Sequence, residues 1–351
     1  MATESRKFMT NCPEATLSRL LTALASREEC EVLLRTVRVS PSLLKESGQA
    51  VSRAVVSQAL NLLLFRDLLD RVPTGRQYVA ECLAHGKQVV FDHGALRTVA
   101  LEGMGDLPAG EEVIARVLIP LGYRMNAVYP LDRLGMTGRS YTHEDLPEDL
   151  PQFFVSELHP ERFSPRFRNA VFRVTASSRD PLSDTDRLAL VELAVKRVLP
   201  HDKALALLPR LLACFARQHA DPTLSDYETL LAESPEMAWI ATEGNAFNHA
   251  TDRVPCIEEL AKQQRRLGRP LKDAIEVSRS GRVRQTAFRA DSVERNFVDL
   301  HGATIRRTVP GSFYEFIQRD RLLDPATNTY RLDLSFDSGN AQGIFKMTAA
   351  A

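Results

Sequence analysis

The sequence predicts an α+β protein: paired β-α-β-β-β units forming a β core, with a helical segment before the first unit and a helical insertion between the two. Three observations lead there. A short motif, F-[DN]-H-x-x-x-R, occurs at Phe91-Asp92-His93-Gly94-Ala95-Leu96-Arg97 and again at Phe247-Asn248-His249-Ala250-Thr251-Asp252-Arg253. A helix-like stretch follows each copy, at 110–119 and 256–266, and then a Leu-Gly pair, at Leu121-Gly122 and Leu267-Gly268. Each unit closes on an aromatic strand carrying a glutamate, Phe153-Phe154-Val155-Ser156-Glu157 and Phe313-Tyr314-Glu315, so that 64 residues separate His93 from Glu157 and 66 separate His249 from Glu315. Matched order and matched spacing together point to an internal repeat.

The elements follow in order. Residues 1–88 form the N-terminal helical segment: Leu17, Leu20, Leu21 and Leu24 recur at helical spacing, as do Val55, Leu60, Leu63 and Leu64. Pro73-Thr74-Gly75 breaks that pattern. The first unit covers 89–160, opening on the β-rich Gln88-Val89-Val90-Phe91 and closing on Gln152-Phe153-Phe154-Val155. The insertion covers 161–240, with capping candidates in Ser183-Asp184-Thr185-Asp186 and a periodic leucine-rich run to residue 233. The second unit covers 241–320 and ends on Ser312-Phe313-Tyr314-Glu315-Phe316-Ile317. Residues 321–351 form a C-terminal segment expected to complete the site.

Composition narrows the function. The 351 residues are 44% hydrophobic and 26% charged, ordinary for a globular chain with about two domains' worth of material. Lys and Arg number 45 against 45 Asp and Glu, so no excess charge drives counterion release and a general nucleic-acid binder is not expected. No apolar run approaches the roughly 18 residues that span a bilayer. The N-terminus is polar and lacks a signal-peptide core, and the five cysteines are odd in number, dispersed and never C-x-x-C. The expectation is a cytoplasmic protein with reduced thiols, no nucleic-acid or membrane partner, and an oligomer left open.

Alternate residues of a strand share a face, so His93 points with Arg97, and His249 with Arg253. Pairing two units about a pseudo-twofold brings the histidines together, and a glutamate from a closing strand completes a three-ligand set. Two imidazoles and one carboxylate with open positions are the ligands of non-haem Fe(II) oxygenases. The same set accepts zinc in a Lewis-acid hydrolase or isomerase. A single histidine in a β-rich stretch is ordinarily a packing residue; two at matching places of a repeat point to ligation. Glu315 lies among apolar neighbours, where a carboxylate needs a partner such as a metal, whereas Glu157 has a more polar setting; Glu315 is favoured. Arg97 offers bidentate capture of a substrate carboxylate against the alternative of a surface ion pair, and Arg253 reads as mainly structural. His143 reads as part of a solvated loop, and His201 and His219 as helix-end or surface residues. His159, followed by Pro160, does not belong to an H-E-x-x-H helix. Serine-hydrolase, P-loop and Rossmann signatures are missing from the sequence.

The segments Val90–Thr98, Asn245–Val254 and Val309–Phe316, taken in order, resemble the 2-oxoadipate dioxygenase/decarboxylase family, also called D-2-hydroxyglutarate synthases, over roughly residues 50–345. That family resembles a divergent, glyoxalase-like branch of the vicinal oxygen chelate superfamily, whose paired β-α-β-β-β units hold a metal in a β core. The resemblance implies Fe(II) held by His93, His249 and Glu315, with Arg97 as a catalytic residue on a substrate carboxylate. It places the substrate against His93, Arg97 and the C-terminal backbone around Ile344. The implied reaction takes 2-oxoadipate and O2 to D-2-hydroxyglutarate and CO2, a step of lysine catabolism. Two other readings remain open at this point: an O2-independent zinc or nickel glyoxalase-like lyase or isomerase on a small 2-oxo or hydroxy acid, and a non-catalytic module that binds a small ligand.

Overall fold

The computed structural model describes residues 15–325 and 327–339. It is a mixed α/β fold around a curled eight-stranded sheet, a half-barrel. In chain order the strands are β1 (Phe91–Val99), β2 (Tyr123–Leu131), β3 (Met136–His143), β4 (Gln152–Leu158), β5 (His249–Arg253), β6 (Glu276–Val277), β7 (Val283–Ala287) and β8 (Phe313–Arg319). Their spatial order is β2-β3-β4-β1-β5-β8-β7-β6. Each half has the same arrangement: β1 runs parallel to β4 and β5 parallel to β8, while β1 and β5 join the halves antiparallel. A crossover helix follows the first strand of each half, Glu112–Leu118 after β1 and Ile257–Arg266 after β5.

The central strands are covered on both faces, so they read as near-continuous buried runs rather than alternating ones. All nine residues of β1 and all seven of β4 are buried. One face carries the main apolar core. There Leu96, Tyr314 and Phe316 meet the helices Arg53–Arg71 and Pro73–Ala84, with the Phe65 ring 5.1 Å from Phe91 and 6.3 Å from Tyr314. The other face carries His93, Ala95, Thr251 and Glu315, and a small apolar group of Ala95, Tyr129 and Phe154.

The N-terminal helices contain one element the sequence reading lacked: a three-residue strand, Ala50–Ser52, paired antiparallel with Val198–Pro200. The break at Pro73 is narrower than expected. Val72 alone leaves helical geometry, and Pro73 starts the next helix at its first position, where its missing N–H is no loss. Between β4 and β5 the chain forms five α-helices, Pro165–Thr175, Asp184–Lys196, His201–Ala213, Leu224–Glu233 and Pro235–Glu243. Ser183 caps the second of them in a capping box with Asp186. A two-stranded ribbon, Ser292–Val298 with Thr304–Pro310, interrupts the second half before β8 and had no counterpart in the sequence reading. The four cysteines among the described residues are free thiols, and no helix there is long and apolar enough to cross a membrane.

Candidate metal centre

Register brings the candidate ligands together. On the neighbouring strands β1, β5 and β8, His93 pairs with Thr251 and Thr251 with Glu315, so the three form one row across the sheet. His249 lies two residues before Thr251, on the same face. Its Nε2 is 2.8 Å from Glu315 Oε2, and His93 Nε2 is 3.8 Å from the same oxygen. The imidazole rings stand edge to face with centroids 5.5 Å apart. Among the described residues, His93, His249 and Glu315 are the one group of His, Cys, Asp or Glu whose donor atoms lie close enough to share a metal ion, all within 4.8 Å of one another.

The residue before each histidine orients its ring. A register shift between Phe91 and His93 bulges Asp92 out of the β1–β5 ladder, and Asp92 Oδ1 then reaches His93 Nδ1 at 3.0 Å. Asn248 lies 2.9 Å from His249 Nδ1 through its amide nitrogen, while its Oδ1 is buried without a hydrogen-bond partner. With the amide turned by half a turn, that oxygen accepts Nδ1–H and His249 Nε2 keeps its lone pair for a metal. In both copies the Nδ1 side is held from behind, and Nε2 faces Glu315.

The carboxylate is fully buried. Gln285 Nε2 donates to Glu315 Oε1 at 2.5 Å, and Thr251 Oγ1 donates to Oε2 at 3.2 Å while lying 3.1 Å from His93 Nε2. Burial by itself would raise the Glu315 pKa, but His249, His93 and the Gln285 bond hold it below the usual range. Burial lowers the pKa of His249 against the opposing pull of Glu315. An ionised carboxylate beside a neutral imidazole, out of water, is short of positive charge, and the donor set therefore fits a divalent cation.

The three ligands open onto a cavity walled by the apolar Ala95, Phe154 and Phe336 and by the polar Ser156, Asn248, Gln285 and Asp337. Phe336 comes from the segment after β8, its ring 4.8 Å from His93 and 5.0 Å from Phe154. Arg97 shares the strand face of His93 but is not part of that wall. It is fully buried, its guanidinium 4.8 Å from the centre of the Trp239 ring, and burial lowers its pKa to about 10 against the pull of Glu236. Ile344 lies outside the described residues.

Glu157, the rival carboxylate, is built into a different contact. It accepts the Glu111 backbone N–H at 2.7 Å, beside the crossover helix, and pairs with Arg139 at 3.1 Å. Arg253 donates to the Glu148 carbonyl and lies 3.8 Å from Asp92, outside the ligand set. Two expectations are corrected. His143 is not in a solvated loop: it ends β3 fully buried, with Nε2 3.0 Å from the Leu121 carbonyl oxygen and its ring against Tyr123. His219 is not a surface residue: it is 9% exposed, with Nε2 3.0 Å from the Ala241 carbonyl oxygen. Each finds a backbone acceptor inside the core, a partner that one-dimensional patterning does not reveal.

Sequence reasoning missed Thr251, Gln285, Asp92, Asn248 and Ser156. Thr251 was within reach, two residues past His249 on the same face. The [DN] of the repeated motif was a second signal, quoted without a role. Gln285 sits on a strand without a motif, and only the register of β7 against β8, where Gln285 faces Ile317, brings it near Glu315.

Comparisons with known proteins bear on the family and the fold. The family model described as 2-oxoadipate dioxygenase/decarboxylase matches residues 67–345. A curated rice (Oryza sativa subsp. japonica) protein, 2-oxoadipate dioxygenase/decarboxylase, chloroplastic/amyloplastic, is 24% identical over 308 residues, covering 80% of this chain and 75% of its own. A solved structure from Ralstonia eutropha JMP134, described as a glyoxalase superfamily protein, superposes with a TM-score of 0.86 at 53% identity, covering 92% of this chain and 98% of that one. A hydroxyglutarate synthase from Oryza sativa, solved in complex with 2-oxoadipate, shares the fold at a TM-score of 0.65 and 20% identity, covering 90% of this chain and 98% of that one.

Proposed function

The chain belongs to the 2-oxoadipate dioxygenase/decarboxylase family, and from that premise we propose that it is an Fe(II)-dependent oxygenase that converts 2-oxoadipate and O2 to D-2-hydroxyglutarate and CO2. The observation that carries the reading is the convergence of His93, His249 and Glu315 on one buried point facing a cavity. Bound there, Fe(II) would supply one-electron chemistry that activates O2 beside a 2-oxo acid, which zinc cannot do. The shared strand order of the two halves supports treating them as two β-α-β-β-β units of the vicinal oxygen chelate kind, with the ligands shared across the joint.

The residues of this chain then have separable tasks. Asp92 and Asn248 fix the two imidazoles with Nε2 inward. Gln285 and Thr251 hold the carboxylate in place. Phe154 and Phe336 keep water from the reacting end of the substrate, which strengthens every charge interaction inside. Arg97 would take a substrate carboxylate: it is a cation already stripped of water and packed over the Trp239 ring, which lessens the ordering cost of a bidentate contact.

The test is O2 uptake by the protein reconstituted with Fe(II) under argon, before and after adding 2-oxoadipate. Stoichiometric uptake with CO2 release, lost in His249→Ala, is the expected result. Turnover with zinc in the absence of O2 would replace this reading with the lyase or isomerase one.

A further inference from the structure

Arg319, the last residue of β8, lies four residues past Glu315 and is fully buried. Its Nε and Nη2 donate to both oxygens of Asp92 at 3.0–3.1 Å, and Asp92 in turn holds His93 Nδ1. Its Nη1 donates to two backbone carbonyls of the segment after β8, Asp333 at 2.9 Å and Ser335 at 2.6 Å. The guanidinium carbon sits 4.7 Å from the centre of the Phe336 ring, which walls the cavity edge-on to His93. The backbone N–H of Phe336 donates to the Tyr129 hydroxyl at 3.1 Å. One guanidinium therefore touches the carboxylate behind a candidate ligand and the segment that covers the cavity.

We propose that Arg319 is a positioning residue that couples the placement of residues 333–336 over the cavity to the orientation of His93, so that metal binding and closure of the Phe336 wall assist each other. The argument is geometric. A guanidinium has five donors in a planar fork, so its two edges cannot turn independently. Any movement of the 333–336 backbone that drags Nη1 tilts the Nε/Nη2 edge on Asp92, and Asp92 is the group that sets the His93 ring. The reverse holds as well: a metal that fixes His93 fixes Asp92, and through Arg319 the carbonyls of Asp333 and Ser335. Thermodynamic coupling of this kind is reciprocal. Lysine cannot reproduce it, because an ammonium offers no rigid fork between the two partners. The alternative is that Arg319 merely neutralises a buried carboxylate, in which case the covering segment and the metal ligand respond independently.

The proposal rests on the metal-centre reading, and its test needs neither substrate nor O2. Co2+ is titrated into the metal-free protein, and hydrogen–deuterium exchange is followed in the peptide spanning 330–339, with and without Co2+. In the wild type, Co2+ should slow exchange at Ser335 and Phe336. Arg319→Lys should weaken Co2+ binding about 10-fold, the range for removing a partner behind a metal-bound histidine, and abolish the response of the segment to Co2+. Tyr129→Phe, which removes the acceptor of the Phe336 N–H without touching Asp92, should also weaken Co2+ binding. It serves as the deciding variant if Arg319→Lys does not fold. Unchanged Co2+ affinity in Tyr129→Phe, or exchange in 330–339 indifferent to Co2+ in the wild type, overturns the coupling while leaving the metal centre standing. A wild type that binds no Co2+ overturns the centre itself and the coupling with it.

Discussion

Replacing Glu315 with glutamine separates ligation from packing, because the side chains are nearly isosteric and only the charge and one acceptor change. In the metal-free protein two large terms oppose each other. The carboxylate accepts from Gln285 and Thr251; making these two contacts neutral forfeits about 1 kcal/mol each. Against that, burying an ionised carboxylate carries a desolvation penalty of several kcal/mol, which the amide relieves. The metal-free Glu315→Gln protein should therefore have a stability within about 2 kcal/mol of the wild type. The metal-loaded states differ far more. Metal at 100 times its dissociation constant stabilises the wild type by about 2.7 kcal/mol, or about 5 °C in Tm at roughly 2 °C per kcal/mol for a chain of this size. Glu315→Gln should show no metal-induced shift under the same conditions. Thermal unfolding with and without Co2+, run on wild type, Glu315→Gln and Glu157→Gln, decides the matter. If the metal shift survives in Glu315→Gln and disappears in Glu157→Gln, the carboxylate has been misassigned.

Gly94 has no space for a side chain: a Cβ there would fall 2.2 Å from Phe247 Cζ. Gly94→Ala should lower stability by about 1–3 kcal/mol and, because Phe247 leads into His249, weaken metal binding as well; an unaltered Tm and Co2+ affinity would refute this. Arg97→Ala should raise KM for 2-oxoadipate with metal content unchanged, whereas loss of metal would make Arg97 structural and an unchanged KM would remove it from the substrate. Asp252, buried and bound by the Tyr78 hydroxyl and the Val90 N–H, has its pKa raised to about 6 by burial. Its folded-state pKa exceeds the unfolded one, so its contribution is full below about pH 4 and is lost as pH rises through 6. Asp252→Asn should accordingly be more stable than the wild type at pH 7.5, on the order of 2–3 kcal/mol, with the difference vanishing near pH 4; a pH-independent difference in denaturant unfolding counts against it.

Much of this centre was legible because it rests on strand periodicity. His93, His249 and Glu315 could be grouped from a repeated motif and a matched spacing, since alternate residues of a strand share a face whatever the rest of the chain does. Helices after each motif, and the capped helix at Asp184, were legible for the same local reason. What stayed hidden depends on register and on long-range partners. The bulge that turns Asp92 onto His93 is a property of the β1–β5 ladder and not of either strand. Gln285 is placed by β7 against β8, and the ribbon before β8 is an insertion that a repeat search skips. His143 and His219 were misread because a buried histidine needs only one carbonyl, and Leu121 and Ala241 are each 22 residues away in sequence.

The charge inventory of the inner ring explains one asymmetry in the repeated motif. Asp92 stands behind His93, but Arg319 cancels its charge; Asn248 stands behind His249 and brings none. Glu315 thus supplies the carboxylate that reaches both imidazoles, while Asp337, which also lines the cavity, lies 3.5 Å from Arg279. A divalent cation leaves the pocket with one net positive charge, which a carboxylate ligand neutralises in a site too dry for water to do so. An aspartate behind both histidines would change that balance. Asn248→Asp adds a second buried negative charge behind His249, so it should tighten Co2+ binding and raise KM for 2-oxoadipate, moving the two constants in opposite directions. Both constants falling together would mean that the neutral amide is there for shape, and that the charge of the ring does not govern which ligands it accepts.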